Sequence, residues 1–350
     1  MLRCAGLLTR GGVTLLLMAS ACGPAAGGFG PPERRSVPVE RIGKFSRSPD
    51  GIAWLGDRIV VEVDEGIVRG VRSRLVELDP THQAQRRLKL PPTEGCNVLY
   101  FTRLASLRRG TLGAARDCFG DRGVANNDFR LGEIGLEKPS FEPLTRNLDY
   151  SGLSFGWYSW NPDLTRAIAS RSDAGLCSTL EWITREGIEP AHIEVDDGDR
   201  TWVIGPDLYP DCDGKPKADW PAWSPGGERI AFFFSTDAAE RGGFSRLQST
   251  YDLYLMGPNG EHPTKHLEGI IEPRSPIWSP DGKWLAFSGG YDGLREATWL
   301  YAPETGEIRF VSDAFLLWLD WSPDGTRIAG VPNPPPGHEI LIYDVSSLID

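Results

Sequence analysis

The chain has 350 residues, of which 40% are hydrophobic and 24% are charged, and its formal net charge is −11. This length and apolar content are sufficient for a large buried core. Phosphate-backbone binding depends on clustered lysines and arginines, so the excess of acidic residues argues against a nucleic-acid partner.

The N-terminus has the pattern of an export signal followed by a tether. Basic residues precede an apolar run too short to span a membrane, which predicts a signal peptide over 1–21. The stretch "ASAC" at 19–22 resembles the lipobox of bacterial lipoproteins, in which Cys22 is acylated. It also fits an ordinary small-x-small cleavage site that cuts the same bond. We expect a Gly/Pro-rich tether over 22–36 and a lipid anchor in a bacterial membrane.

Four cysteines follow the tether, and an even number in an exported protein indicates disulfide bonds. We predict a bond between Cys96 and Cys118, which flank a predicted strand hairpin. A second bond between Cys177 and Cys212 would bracket the end of the third repeat unit.

Four copies of one phrase share a Trp, a Pro-containing turn and a short apolar strand: "WNPDLTRAIA" at 160–169, "WSPGGERIAFF" at 223–233, "WSPDGKWLAF" at 278–287 and "WSPDGTRIA" at 321–329. In "SPDG", Pro presets φ at the first central turn position and Gly accepts the left-handed conformation. The phrase therefore predicts strand, tight turn, strand. We interpret Trp223, Trp278 and Trp321 as packing residues between repeated sheets.

Further strand-like segments follow each copy, giving about four strands per unit, as in propeller blades. More divergent units begin near position 52, and six units fit the chain. The last unit has only three strands, and the segment 37–45 precedes the first unit without a partner. We therefore predict an all-β, six-bladed β-propeller of four-stranded antiparallel blades over 37–350, closed by pairing 37–45 onto 339–345.

The repeated "WSPDGxxIAF" phrase and the strands of the "LYLMGPNG" type that follow it resemble the TolB-type β-propeller repeat. The resemblance covers roughly 37–350 and is strongest in the last three units. It implies the propeller fold but leaves the function open, because the family includes envelope-assembly proteins, binding lipoproteins and peptidase accessory domains. TolB has a separate domain before its propeller, whereas only a tether precedes it here, so the TolB partner is not carried over.

Motifs for catalysis and metal binding are weak. Ser154 lies in "GLSFG" at 152–156, but the G-x-S-x-G nucleophile needs a strand-to-helix turn, and a blade is predicted here. The histidines form no H-E-x-x-H motif: His82, His192, His262, His266 and His338.

Carboxylate-rich turns offer a calcium site as an alternative to a solvated acidic loop. Asp211, Asp213 and Asp219 could hold Ca²⁺, although their spacing is not that of an EF-hand. We expect no catalytic residue, no metal site and no cofactor, with channel-bound Ca²⁺ as the alternative.

The long predicted loops share one face of the propeller: 64–72, 119–127, 197–219, 236–250 and 289–296. Long loops persist mainly where they bind something or are tolerated. The candidate binding residues combine carboxylates with Arg and aromatic side chains, the types that anchor interfaces: Asp197, Asp199, Asp207, Asp211, Asp213, Arg241, Phe244, Arg246 and Tyr251.

The sequence favours a monomeric, non-catalytic binding or assembly module of the cell envelope, with a protein, peptide or glycan partner. Propeller peptidases attach a hydrolase domain of a few hundred residues, and the chain ends at Asp350. The alternative is a propeller enzyme, similar to a lactonase or lyase, that uses a channel-bound Ca²⁺.

Overall fold

A computed structural model describes residues 37–47, 49–68, 71–81, 84–90, 98–107, 111–119, 128–148, 154–173, 177–205, 216–236, 249–333 and 338–350. These residues are mostly β-strand, with one short helix, α1 (Ser346–Ile349). The all-β prediction is confirmed. Within the described ranges, no helix has the length and apolar content needed to cross a membrane.

The strands form antiparallel blades arranged as a propeller. The first large sheet has eight strands: β2 (Pro49–Leu55), β3 (Arg58–Val68), β4 (Val71–Leu78), β5 (Gln85–Arg87), β6 (Val98–Ser106), β7 (Leu112–Phe119), β8 (Asp128–Gly135) and β9 (Ser140–Pro143). The next has four: β10 (Ser154–Trp160), β11 (Arg166–Asp173), β12 (Cys177–Thr184) and β13 (Gly187–Pro190).

A two-stranded hairpin comes next: β14 (Ile193–Asp196) and β15 (Thr201–Ile204). The third large sheet has seven strands: β16 (Lys217–Trp223), β17 (Ile230–Ser235), β18 (Thr250–Met256), β19 (Thr264–Trp278), β20 (Leu285–Gly290), β21 (Thr298–Ala302) and β22 (Glu307–Ser312). The fourth has four: β1 (Val39–Ile42), β23 (Leu316–Trp321), β24 (Arg327–Pro332) and β25 (Ile340–Asp344).

The expected count of six separate blades is corrected, because the described strands make four sheets of four or more strands. Two features merge neighbouring units into one sheet. Strand β19 runs without a break from Thr264 to Trp278 and pairs with β18 and with β20. Strand β4 pairs with both β5 and β6, the latter through Val71 and Leu99.

The first and last parts of the chain meet as predicted. Strand β1 lies antiparallel to β25, with Val39 opposite Tyr343, and so supplies the outer strand that the last unit lacks. The Trp54 N–H on β2 also donates to Asp320 Oδ2 on β23, at 2.7 Å. The pairing of β1 covers the edge of β25, which would otherwise be exposed, and the hydrogen bond joins the first unit to the last.

The Pro-containing turns explain why the phrase is repeated. Gly227, Gly282 and Gly325 have φ of 83°, 72° and 74°, the left-handed conformation that the sequence predicted. The turns also contact one another, since a Cβ placed at Gly227 would lie 3.1 Å from Pro162, and one at Gly282 would lie 3.6 Å from Pro225. The Gly of one turn therefore packs against the Pro of the preceding turn.

The tryptophans that begin the phrase, and end the strand before its turn, are packing residues, as predicted. Trp223, Trp278 and Trp321 are 8%, 8% and 4% exposed. Trp278 Nε1 donates to the Ala222 carbonyl at 3.0 Å, and Trp321 Nε1 donates to the Ile277 carbonyl at 3.3 Å. Each of these two indoles thus connects its strand to the first strand of the preceding unit.

Candidate functional site

Six strands converge on one cavity of about 350 Å³, lined by residues of β2, β6, β10, β16, β19 and β23. We call these six the inner strands. The lining comes from their C-terminal parts and from the turns that follow, including Pro162, Leu164 and Pro225. The cavity therefore lies at the turn end of the inner strands.

The cavity wall combines indole rings with a few polar groups. Four tryptophans line it: Trp157, Trp160, Trp223 and Trp278. The polar lining residues are four neutral side chains and one carboxyl: Ser106, Ser159, Asn161, Ser224 and Asp320. Asp320 is the one charged side chain among the described residues of the wall.

Three indoles meet in the space between the inner strands, which we call the channel. The ring centroid of Trp157 lies 5.8 Å from that of Trp220 and 5.6 Å from that of Trp318, and Trp220 and Trp318 are 5.9 Å apart. They come from β10, β16 and β23, each three residues before the Trp that ends its strand. Because Trp157 also lines the cavity, this triad lies against the cavity wall.

Irregular backbone brings side chains into the channel. All six inner strands shift register against their second strand: at Pro49/Gly51, Thr102/Ala105, Phe155/Tyr158, Asp219/Ala222, Arg274/Ile277 and Leu316/Trp318. Within two of these bulges, Trp220 and Ser275 have φ of 55° and 48°. Bulges re-aim side chains, and strained backbone of this kind concentrates at functional sites.

Asp320 joins three inner strands at the cavity. Its Oδ2 accepts hydrogen bonds from Trp54 N–H at 2.7 Å and from the Ser106 hydroxyl, and its Oδ1 accepts one from Trp321 N–H at 2.9 Å. Burial raises the pKa of Asp320 to about 6, although these bonds act in the opposite direction. The carboxyl is therefore poised to change charge near neutral pH.

Asp219 is the second channel carboxyl, and its surroundings differ. Burial raises its pKa, against the opposing effects of hydrogen bonds from Ser170, the Trp220 N–H and Ser178 and of the nearby Arg274 guanidinium. Arg274 lies over Trp220, with 5.5 Å from Cζ to the ring centroid. This level of the channel thus contains a carboxyl, an indole and a cation together.

The structure describes only part of the binding face predicted from the long loops. Asp207, Asp211, Asp213, Arg241, Phe244 and Arg246 lie outside the described residues. Asp197 is a turn residue of the β14–β15 hairpin. Burial opposes its ionisation, but bonds from Trp202 Nε1 and two backbone N–H groups outweigh burial and lower its pKa. Asp199 is exposed in the same turn, and Tyr251 packs against a core cluster.

Two of the predicted long loops are corrected. The range 197–219 contains strand β15 and the start of β16, so it is not one continuous loop. Strand β3 extends to Val68 and β4 begins at Val71, so 64–72 is mostly strand. Apolar and polar residues do not alternate regularly in the sequence of either range, which is why the sequence did not reveal these strands.

The other residues that the sequence analysis singled out lie partly inside and partly outside the described ranges. Ser154 begins strand β10, so it does not lie at a strand-to-helix turn. His266 Nδ1 lies 2.9 Å from the Tyr301 hydroxyl, and no cluster of three or more metal-ligating side chains occurs in the described ranges. Cys118 is disulfide-bonded. Its pairing with Cys96 stays a prediction, as does the bond between Cys177 and Cys212, because Cys96, Cys212 and the Cys177 side chain are not described.

The sequence analysis missed the channel residues. A signal for the triad was present as Trp-x-x-Trp, at 157–160, 220–223 and 318–321. No local pattern marked Asp320 or Ser106, because their partners lie on distant strands.

No protein-family model matches the chain. A 110-residue stretch is 31% identical to part of the Bacillus subtilis protein named "Uncharacterized peptidase YuxL". The match covers 31% of this chain and 16% of that protein. It overturns the expectation that the chain is not an enzyme, since a stretch of the chain is similar to part of a protein named as a peptidase.

Solved structures support the fold. TolB from Acinetobacter baumannii superposes with a TM-score of 0.51 and 14% identity, over 83% of this chain and 64% of that one. Hydrazine synthase from Kuenenia stuttgartiensis gives a TM-score of 0.50 and 12% identity, over 85% and 83%. The predicted resemblance to TolB is thus confirmed for the fold, and identities this low carry no function.

Proposed function

We propose that this propeller recognises a ligand or partner through the cavity at the turn end of its inner strands. The observation that carries the proposal is the lining of the cavity, which contains four tryptophans and, among the described residues, one carboxyl, Asp320. Ligand sites are concave and mostly apolar, with a few polar groups that fix orientation. The cavity volume of about 350 Å³ suits one side chain or a small molecule.

The proposal includes six blades around one channel. Six strands carry the same bulge and reach the same cavity, which supports six repeats about one axis. The seven-stranded and eight-stranded sheets would then each hold two blades. A register shift between Ile271 and Arg274, midway along β19, and the single residue pair between β4 and β6 support this division.

The location and partner also belong to the proposal and rest on the sequence. We place the protein outside the cytoplasm as a monomer, with residues 1–21 removed and Cys22 lipidated in a bacterial membrane. The tether over 22–36 would let the propeller reach an envelope protein, peptide or glycan.

An enzyme of the propeller class is the second candidate. Asp320 favours it, because a carboxyl with a raised pKa beside the Ser106 hydroxyl at a cavity wall has the surroundings of an acid–base group. The match to part of a protein named as a peptidase also favours it. A calcium-dependent version would need ligands such as Asp211 and Asp213, which lie outside the described residues.

Site-specific photocrosslinking in intact envelopes tests the recognition proposal. A photoreactive residue at Leu164, on the cavity wall, should capture a defined partner. The matched position is Asp313, which is exposed and precedes β23 at the opposite end of that strand. Capture from Asp313 and from the loops 197–219 and 236–250, with none from Leu164, would overturn the proposal in favour of the long-loop face.

A further inference from the structure

The channel contains two carboxyls near indole rings, and they differ in whether a cation accompanies them. At one level, Asp219 precedes Trp220, whose ring lies under the Arg274 guanidinium at 5.5 Å. Burial raises the pKa of Asp219, and the charge of Arg274 opposes that rise and is attracted to the indole face. Here the protein itself supplies the cation that such surroundings favour.

Among the described residues, the cavity level repeats the carboxyl and the indoles without a cation. Asp320 faces a wall that includes Trp157, and the described lining residues contain no Lys, Arg or His. No charged group is among the causes of the shifted pKa of Asp320. An anionic ligand would meet the carboxylate unopposed, and a buried carboxylate favours a cationic ligand over a neutral one.

The hydrogen bonds of Asp320 restrict the kind of cation. The carboxylate has about four acceptor positions, and three are filled by Trp54 N–H, the Ser106 hydroxyl and Trp321 N–H. One acceptor position therefore remains. A guanidinium bonds best to two carboxylate oxygens at once, whereas an ammonium acts as a compact point charge.

We propose that the cavity binds an alkylammonium group, carried either by a lysine side chain of a partner or by a small amine. This inference rests on the recognition role proposed for the cavity. The ammonium donates to the open acceptor position of Asp320 and is attracted to the indole rings. The alkyl chain packs against apolar lining residues such as Leu104, Ile277 and Leu319.

Calorimetric titration with three matched four-carbon probes tests the ligand class at pH 8, where the carboxyl is ionised. We expect n-butylammonium to bind about tenfold more tightly than n-butanol, and butyrate to bind most weakly. Equal or tighter binding of n-butanol or butyrate would overturn the proposal. Nα-acetyl-lysine-N-methylamide distinguishes the sources: tighter binding than n-butylammonium supports a partner lysine, and weaker binding supports a small amine.

Variants at the rim and at the carboxyl locate the effect. Leu164→Lys places a cation beside the cavity and should lower n-butylammonium affinity about tenfold, whereas Leu164→Gln should preserve it. Asp320→Asn should abolish the preference for n-butylammonium over n-butanol, and Asp313→Asn, at an exposed position, should retain it. An n-butylammonium affinity that Leu164→Lys leaves unchanged contradicts the proposal, even if Asp320→Asn fails to fold.

The two proposals fail in different ways. Loss of the n-butylammonium preference with continued photocrosslinking from Leu164 would exclude the ligand class and retain the cavity as a recognition site. Loss of photocrosslinking with continued n-butylammonium binding would retain the ammonium site and exclude a macromolecular partner there.

Discussion

The two carboxyls of the channel, Asp219 and Asp320, show how similar burial can serve different ends. Burial raises the pKa of both. Asp219 has the guanidinium of Arg274 nearby, while the donors to Asp320 from the described part of the chain are all neutral: two backbone N–H groups and the Ser106 hydroxyl. A buried carboxyl with neutral donors costs stability when it ionises, which is tolerated mainly where function requires it.

The comparison assigns a structural role to the Asp219 level and a recognition role to the Asp320 level. The Asp219 level lies beside the indole triad and has a cation of the chain nearby, Arg274, which lies over Trp220 and also pairs with Glu272 at 3.8 Å. The Asp320 level lines a cavity and leaves its charge open to a ligand. We therefore expect changes at Asp320 to alter both stability and binding, and changes around Asp219 to alter stability alone.

Truncation of Asp320 should have the largest effect. In Asp320→Ala, the N–H groups of Trp54 and Trp321 lose their acceptor, whereas the Ser106 hydroxyl can still donate to the Trp54 carbonyl at 2.9 Å. We expect the free energy of unfolding to fall by about 3 kcal/mol, since buried donors left unpaired cost ~1–3 kcal/mol each. Urea denaturation measures the change. Asp313→Ala, at an exposed position, is the control, and equal stability of the two variants would contradict the role of Asp320 in joining strands.

The pH dependence of the free energy of unfolding should show the titration of Asp320. The folded-state pKa of Asp320 is raised from 3.8 to about 6, so the folded protein binds this proton more tightly than the unfolded chain. Its stabilising contribution is fully present below pH 4 and is lost as the pH rises through 6. A shift of this size corresponds to about 3 kcal/mol, or about 2 kcal/mol after allowing for its partial exposure in the cavity wall.

Asp320→Asn isolates that contribution, because Asp219 titrates in the same direction in both proteins. The difference in unfolding free energy between wild type and variant should shrink as the pH rises from 4 to 7. A difference that stays constant over this range would show that Asp320 titrates as an ordinary surface carboxyl.

Removal of the internal cation should have the smallest effect. Arg274→Met takes away the charge over Trp220 and leaves Asp219 harder to ionise, for a loss of about 1 kcal/mol that grows as the pH rises and Asp219 ionises. The matched variant is Arg309→Met. The Arg309 guanidinium lies over Trp284, with 4.9 Å from Cζ to the ring centroid, and its ion-pair partner is the half-exposed Glu307. Thermal denaturation over a series of pH values should show a stronger pH dependence for Arg274→Met than for Arg309→Met, and the same dependence in both variants would contradict the coupling.

The repeat gave the local structure of the fold but not the division of its sheets. Each "SPDG"-type turn has its Gly in the left-handed conformation, as at Gly282 and Gly325, because turn geometry depends on a few adjacent residues. The pairing of β1 with β25 was also predictable, since each end of the chain had one unpaired strand. The merging of sheets at β19 depends on hydrogen bonds between neighbouring units, which no single repeat specifies.

The candidate site was predicted far less well than the fold. Loop length directed attention to 197–219, which contains the strand β15 and residues outside the described ranges. The described cavity instead lies at the end with short turns, where one phrase is repeated and a functional residue is hard to separate from the scaffold. The Trp-x-x-Trp spacing at 157–160, 220–223 and 318–321 was the one local sign of it.

The sequence by itself determined the all-β class, the turns, the packing tryptophans and the strand that joins the two ends of the chain. Each of these follows from residue type and short-range spacing. Only the tertiary structure decided the site, because Asp320 meets Ser106 and Trp54 across 214 and 266 residues of sequence. Such contacts form only when the strands converge and their bulges turn side chains inward, and neither event has a local sequence code.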